Sequence, residues 1–140
     1  MLQLRILSIG KTKETWLEQA IEEYLKRLQN TLRVDFVWAK NNEQLLALAN
    51  KESLLIGLDA SGIAMSSEQF SRFFIKKFEE GGSRLTIVIG GAEGLPPALK
   101  HSLPLISLSP MTFTHQMARL ILIEQAYRAI EIAKGSGYHK

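Results

Sequence analysis

Two hydrophobic rhythms take turns along the chain. "LQLRILSIG" (Leu2–Gly10) alternates apolar and polar positions and ends in glycine, which predicts a strand. In "TWLEQAIEEYLKRLQ" the apolar residues recur every three or four positions: Trp16, Leu17, Ala20, Ile21, Tyr24, Leu25 and Leu28 share one helical face. Thr15, with Glu18 three residues on, reads as the capping box of that helix. "LRVDFVWA" (Leu32–Ala39) is again strand-like, and "NNEQLLALANK" is a short helix with an asparagine cap. "SLLIGLD" (Ser53–Asp59) is almost continuously apolar, as a strand covered on both faces must be. "ASGIAM" then reads as a turn. "SSEQFSRFFIKKFEEGG" is a helix capped by Ser66 and Gln69, with Phe70, Phe73, Phe74 and Phe78 inward and Gly81–Gly82 as its stop. "RLTIVIGG" (Arg84–Gly91) is a buried strand, "AEGLPPALKH" a turn into a short helix, and "LPLISLS" (Leu103–Ser109) a last strand. A final helix runs from about Thr114 to Lys134.

Five alternations of strand and helix joined by short loops predict an α/β domain on a mostly parallel sheet. Ligands of such sheets bind beyond the carboxyl ends of the strands. Three loops therefore attract attention: Asp59–Gly62, Gly90–Leu95 and Ser109–His115. The final helix is unusual. Leu120, Ile123, Tyr127 and Ile130 form one stripe, yet Met117, Ile121, Leu122, Ala129 and Ile132 lie off it. A helix apolar around most of its circumference needs cover on more than one side. Its own sheet covers one side, so the pattern predicts a homodimer, with nearby loops as the other possible cover.

Composition narrows the class without naming the chemistry. A chain of 140 residues with 46% hydrophobic and 22% charged residues is expected to be one globular domain. No segment approaches the ~20 apolar residues of a membrane span, and Arg5 interrupts the first apolar run, so neither a signal peptide nor a membrane segment is read. The absence of cysteine rules out disulfides and thiolate metal sites and fits a reducing cytoplasm. The three scattered histidines form no metal-ligand pattern, so no metal is expected. A net charge of +3 would assist an encounter with a polyanion but is weak evidence alone.

Three stretches can carry chemistry. "IGGAEGLP" (Ile89–Pro96) follows a buried strand with three glycines, which suits either a tight turn or a loop that lets a ligand reach the backbone. It matches neither the dinucleotide nor the P-loop fingerprint. "LSPMTFTH" (Leu108–His115) combines Pro110, capping candidates Thr112 and Thr114, and the apolar side chains of Met111 and Phe113. It reads as an ordinary capped connection or as a pocket for a flat, hydrogen-bond-rich ligand such as adenosine. The end, "GSGYHK" (Gly135–Lys140), loosens an aromatic, an imidazole and a cation from the last helix. Arg119 and Arg128, nine residues apart, point to opposite sides of an ideal helix, and Glu124 is spaced to pair with Arg128.

Taken together, "LD-x-x-G" at Leu58–Gly62, "IGG-x-x-GL" at Ile89–Leu95, "LS-x-MTF-x-H" at Leu108–His115, "R-x-x-L-x-EQ-x-YRA" at Arg119–Ala129 and terminal "YHK" resemble the ribosomal large-subunit methyltransferase family RlmH. The likeness runs the length of the chain. It implies a single SPOUT methyltransferase domain over residues 1–140, with a carboxyl-terminal trefoil knot that general topology rules would not favour. It implies a cytoplasmic homodimer that uses S-adenosylmethionine to methylate N3 of a pseudouridine in the helix 69 loop of 23S rRNA, in the assembled ribosome. The cofactor-binding positions carried over are Leu58, Gly90, Leu108, Ser109, Pro110, Met111, Thr112 and Phe113. Thr114 stands where the family usually has proline. The alternatives kept open are a SPOUT methyltransferase for another rRNA or tRNA nucleotide and a non-catalytic ribosome-binding module.

The implied reaction removes an imide proton while nitrogen attacks the methyl group. His139 is the expected base or orienting group, preferred to His115 because His115 belongs to the cofactor loop; an unperturbed imidazole titrates near ~6.5. Tyr138 is expected to stack on or hydrogen-bond the base. Arg128 or Lys140 would hold phosphate or the developing imidate.

Overall fold

The computed structural model describes residues 1–11 and 14–140. The strand-like runs become β1 (Leu2–Ile9), β2 (Leu32–Ala39), β3 (Leu55–Ala64), β4 (Arg84–Ile89) and β5 (Leu105–Ser107). The helical runs become α1 (Thr15–Leu28), α2 (Asn42–Ala49), α3 (Ser67–Glu80), α4 (Pro97–Lys100) and α5 (His115–Lys134). The strands form one sheet in the order β2-β1-β4-β3-β5, and every neighbouring pair is parallel.

Strand alternation sorts the apolar side chains into two layers. Leu4, Ile6, Ile56, Leu85 and Ile87 face α1, α3 and α5, and Phe70, Phe74 and Phe78 of α3 complete that larger core. Leu7 and Val88 face the other way, onto Leu45 and Ala49 of α2 and Leu99 of α4. α5 lies between α1 and α3. Ser71 ties it down with a buried hydroxyl that donates to the Ala129 carbonyl at 2.7 Å.

Helix ends follow local chemistry. Asn41 caps α2 by accepting from the Gln44 amide at 2.9 Å. Ser66 and Gln69 form the expected reciprocal capping box of α3. Thr114, rather than Thr112, caps α5 by accepting from the Met117 amide at 3.1 Å.

Five expectations are corrected. α1 has Glu14 at its cap position and makes no side-chain cap bond there. The Thr15–Glu18 box fails because Thr15 is already helical, and a box needs its cap residue outside the helix. Trp16 is 56% exposed instead of joining the buried face. "ASGIAM" is no simple turn: β3 continues to Ala64 through an irregular excursion, and both Leu58 and Ile63 pair with Ile106. A Cβ on Gly62 would stand 2.7 Å from the Ile106 backbone, so only glycine lets the excursion lie so close to β5. The last strand shrinks to three residues, because Ser109 turns away through hydrogen bonds with the Ser107 hydroxyl. Finally, the inward face of α5 centres on Leu122, Ala126 and Ala129 with Ile123 and Ile130, whereas Leu120 and Tyr127 are only half-buried.

Candidate functional site

Beyond the carboxyl ends of β3, β4 and β5 lies a cavity of about 760 Å³. The three loops singled out by position form its walls: residues 58–61, 89–94, 108–109 and 111–116, with Lys100 and Ala118 closing it. Leu58, Gly90, Leu108, Ser109, Met111, Thr112 and Phe113 all line it, whereas Pro110 is exposed and outside the lining.

The glycine loop is a tight turn, and it lines the cavity. A Cβ on Gly90 would sit 2.3 Å from the Gly94 carbonyl carbon, so the bare residue is what closes the turn. Gly94 has φ +83°, a left-handed conformation that side chains resist. The same turn presents backbone to the cavity. In the third loop the Ser109 hydroxyl accepts from the Met111 amide at 3.0 Å, which curls the chain; Met111 is largely exposed and Phe113 about one-third exposed.

Polar groups outside the cofactor-binding positions carried over from the family complete the lining. Asp59 accepts from both the amide and the hydroxyl of Ser61. Burial pushes its carboxyl up, but the two Ser61 bonds and Lys100, 4.0 Å away, outweigh this and hold it below the usual range. His115 forms the wall nearest β1, where a Cβ on Gly10 would come within 2.9 Å of its Nε2. Burial, and then the Arg119 charge, push the His115 imidazole below its ordinary value, so it is neutral at pH 7.

Arg119 itself is fully buried, and burial alone pushes its guanidinium down to about 10, still charged at neutral pH. It donates to the Ser8 hydroxyl at 2.9 Å, the Ile9 carbonyl at 3.3 Å and the Gly10 carbonyl at 2.8 Å, and it lies over the Trp38 ring at 4.8 Å. It therefore braces the carboxyl end of β1 from α5 and is withdrawn from any surface patch. Its Nε is buried with no hydrogen-bond partner among the described residues.

The other three candidates assemble elsewhere. Gly135 ends α5 in the left-handed conformation at φ 72°, and the Ser136 amide returns to the Glu131 carbonyl at 3.1 Å. That reversal folds the arm back along the helix, so "GSG" acts as a structured turn. The Tyr138 ring packs edge-on to Tyr127, with centroids 4.7 Å apart, and its hydroxyl donates to Glu124 at 2.8 Å. Burial and that carboxylate push the Tyr138 phenol well above its ordinary value, so it stays protonated. Arg128 reaches Glu124 at 2.8 Å, lies 4.9 Å from the Tyr138 ring centre and meets His139 Nδ1 at 3.0 Å. The remaining imidazole nitrogen meets Glu68 of α3 at 2.8 Å. Arg128, Tyr138 and His139 thus form one cluster, but none of them lines the cavity. Arg128 stands thirteen positions beyond His115 on α5, a rise of about 20 Å. Glu68 had no local signal in the sequence; it lies 71 positions from His139 and becomes visible only through the fold.

Comparison with known proteins bears directly on this arrangement. Residues 2–139 match the family model described as "Predicted SPOUT methyltransferase". The ribosomal RNA large subunit methyltransferase H of Protochlamydia amoebophila (strain UWE25) is 63% identical over 140 residues, covering all of both chains. The protein of that name from Prochlorococcus marinus is 43% identical, covering 99% of this chain and 96% of its own. The one from Geotalea daltonii is 38% identical over 99% of each. Among solved structures, TrmJ from Z. mobilis ZM4 superposes with a TM-score of 0.55 over 92% of this chain and 70% of that one, at 11% identity, which supports the shared fold alone.

Proposed function

The chain belongs to the ribosomal RNA large subunit methyltransferase H family of SPOUT methyltransferases, and from that premise we propose that it uses S-adenosylmethionine to methylate N3 of a pseudouridine in the helix 69 loop of 23S rRNA, in the assembled ribosome. One observation carries the reading: the three separated motif blocks that match the family meet around a single cavity at the carboxyl edge of the sheet.

The cavity fits the cofactor. Its size is that of a small-molecule site. Met111, Phe113 and Leu58 offer apolar surface for a purine, the loops at Gly90–Gly94 and Leu108–Phe113 offer main-chain groups, and Asp59 and Glu93 offer negative charge to a cationic ligand. When bound, the cofactor supplies an electrophilic methyl group on sulfur. The protein's task is to align the base nitrogen with that methyl group and to handle the imide proton. Tyr138, kept neutral, can donate to a base carbonyl or stack on the ring. His139 receives or orients the proton, and Arg128 holds phosphate or the developing imidate.

The arm of one protomer lies against α5 and α3 and does not line that protomer's own cavity, so we assign arm and cavity to composite sites in a homodimer, the arm of one protomer serving the cavity of its partner. The half-buried outward stripe of α5, with Met117, Leu120 and Ile121, is the surface this dimer would cover. We also assign to the chain the family's carboxyl-terminal trefoil knot. The enzyme works in the cytoplasm on ribosomes; among the described residues no helix is long and apolar enough to cross a membrane.

The test is transfer of labelled methyl groups from S-adenosylmethionine to ribosomes that lack the modification, followed by nucleotide mapping. Label at the helix 69 pseudouridine is expected. Free 23S rRNA and separate subunits are the controls, and label elsewhere, or none, overturns the assignment.

A further inference from the structure

The docked arm contains a contradiction with its proposed role, and the contradiction is informative. An arginine only donates hydrogen bonds. Arg128 Nη1 lies 3.0 Å from His139 Nδ1, so that nitrogen must be the bare, accepting one. The proton of the neutral ring is then on Nε2, which donates to the Glu68 carboxylate at 2.8 Å. Both ring nitrogens are engaged, and the single lone pair able to take a proton points at a permanent cation. Protonating Nδ1 in this pose would set an N–H against an N–H and add a second positive charge beside Arg128. In the docked arm, His139 is therefore not a base.

We propose that Glu68 and Arg128 form a latch that stores the carboxyl-terminal arm in a resting pose, and that methyl transfer requires His139 to leave Glu68. This rests on reading His139 as the residue that handles the substrate's proton. Glu68 suits a latch. It sits in the first turn of α3, where a carboxylate is favoured by the helix dipole. Its side chain is 54% exposed, so it holds the arm without a deep burial penalty against release. Tyr138, packed on Tyr127 and bonded to Glu124, is a separate anchor, so opening at Glu68 frees the last residues without unfolding α5. A phosphate-bearing substrate weakens both halves of the latch: it repels Glu68 and offers Arg128 a stronger acceptor than imidazole.

The experiment is nuclear magnetic resonance of the isotope-labelled full chain. Wild type should show His139 protonated on Nε2 and bare at Nδ1, with ordered amides at residues 139 and 140. In Glu68→Ala the population of free arm should rise about fivefold, the worth of one exposed charge-assisted hydrogen bond. Glu68→Gln keeps an acceptor and should fall between the two. An Nδ1–H tautomer in wild type, or an arm equally ordered in Glu68→Ala, overturns the latch. Turnover is read on the same variants. If Glu68→Ala loses as much as His139→Ala, Glu68 belongs to the working pose and the latch is again overturned. An arm that loosens in Glu68→Ala while His139→Ala keeps full activity supports the latch and sinks the catalytic reading of His139. An inactive protein with a normal latch sinks the methyltransferase assignment alone.

Discussion

Two arginines of one helix, nine residues apart, end in opposite worlds. Arg119 is sealed in the core, bonded to a serine hydroxyl and two main-chain carbonyls at the end of β1. Arg128 lies at the surface among ionisable side chains: Glu124, Tyr138 and His139. Backbone carbonyls neither titrate nor move independently, so Arg119 is a brace that shapes the cavity wall. Side chains on a terminal arm can exchange partners, so Arg128 sits where binding and release are possible. The residue type is the same; the mobility of its acceptors decides whether it serves architecture or function.

Removing each arginine in turn separates the two roles. Arg119→Leu should lower stability by about 3–5 kcal/mol, since it strands buried acceptors as well as removing the charge, with a Tm loss of roughly 10 °C or more. Arg128→Ala should lower stability by less than about 1 kcal/mol yet weaken ribosome methylation; thermal melts and methyl-transfer kinetics read the two effects. An Arg128 variant that only melts earlier, with normal turnover, would make its Glu124 pair merely structural.

Next is the arm itself. His139→Ala should reduce turnover by about 10²-fold or more while cofactor affinity, measured by calorimetry, stays within about threefold, because His139 does not line the cavity. A smaller effect belongs to the cap between the two regions. Thr114→Ala removes the hydroxyl that accepts from the Met117 amide and should cost about 1 kcal/mol, seen as a Tm drop of roughly 3 °C.

The smallest effect is a pH slope on the braced side. The folded protein holds His115 below its ordinary value of 6.5, so the unfolded chain takes up the proton first as pH falls. Its contribution to stability is full above about 6.5, declines as pH drops below that, and levels off beneath the folded value. His115→Asn should remove this part of the slope in melts taken between about pH 7.5 and 5.5.

Much of this was legible locally. The Ser66–Gln69 box, the Asn41 cap and the glycine stops are decided by neighbours within four residues, and they formed as read. Where a wider context competes, reading failed: Thr15 lost its cap role to Glu14, and the small residues Ala60–Gly62, which look like a turn, continue a strand because Gly62 fits against β5. Motif blocks named the cavity loops, Asp59 and His115 among them, but Lys100 joined the wall only by geometry.

The order and type of the elements and the three loops at one sheet edge were written in periodicity and turn chemistry, because those depend on near neighbours and on main-chain chemistry; the family entered by the likeness of the motif blocks to known proteins. Which arginine is buried, that the last three residues fold back onto α5, and that Glu68 meets His139 across 71 positions were settled only when the helices packed. Burial and long-range pairing are properties of the assembled layers, and no local pattern encodes them.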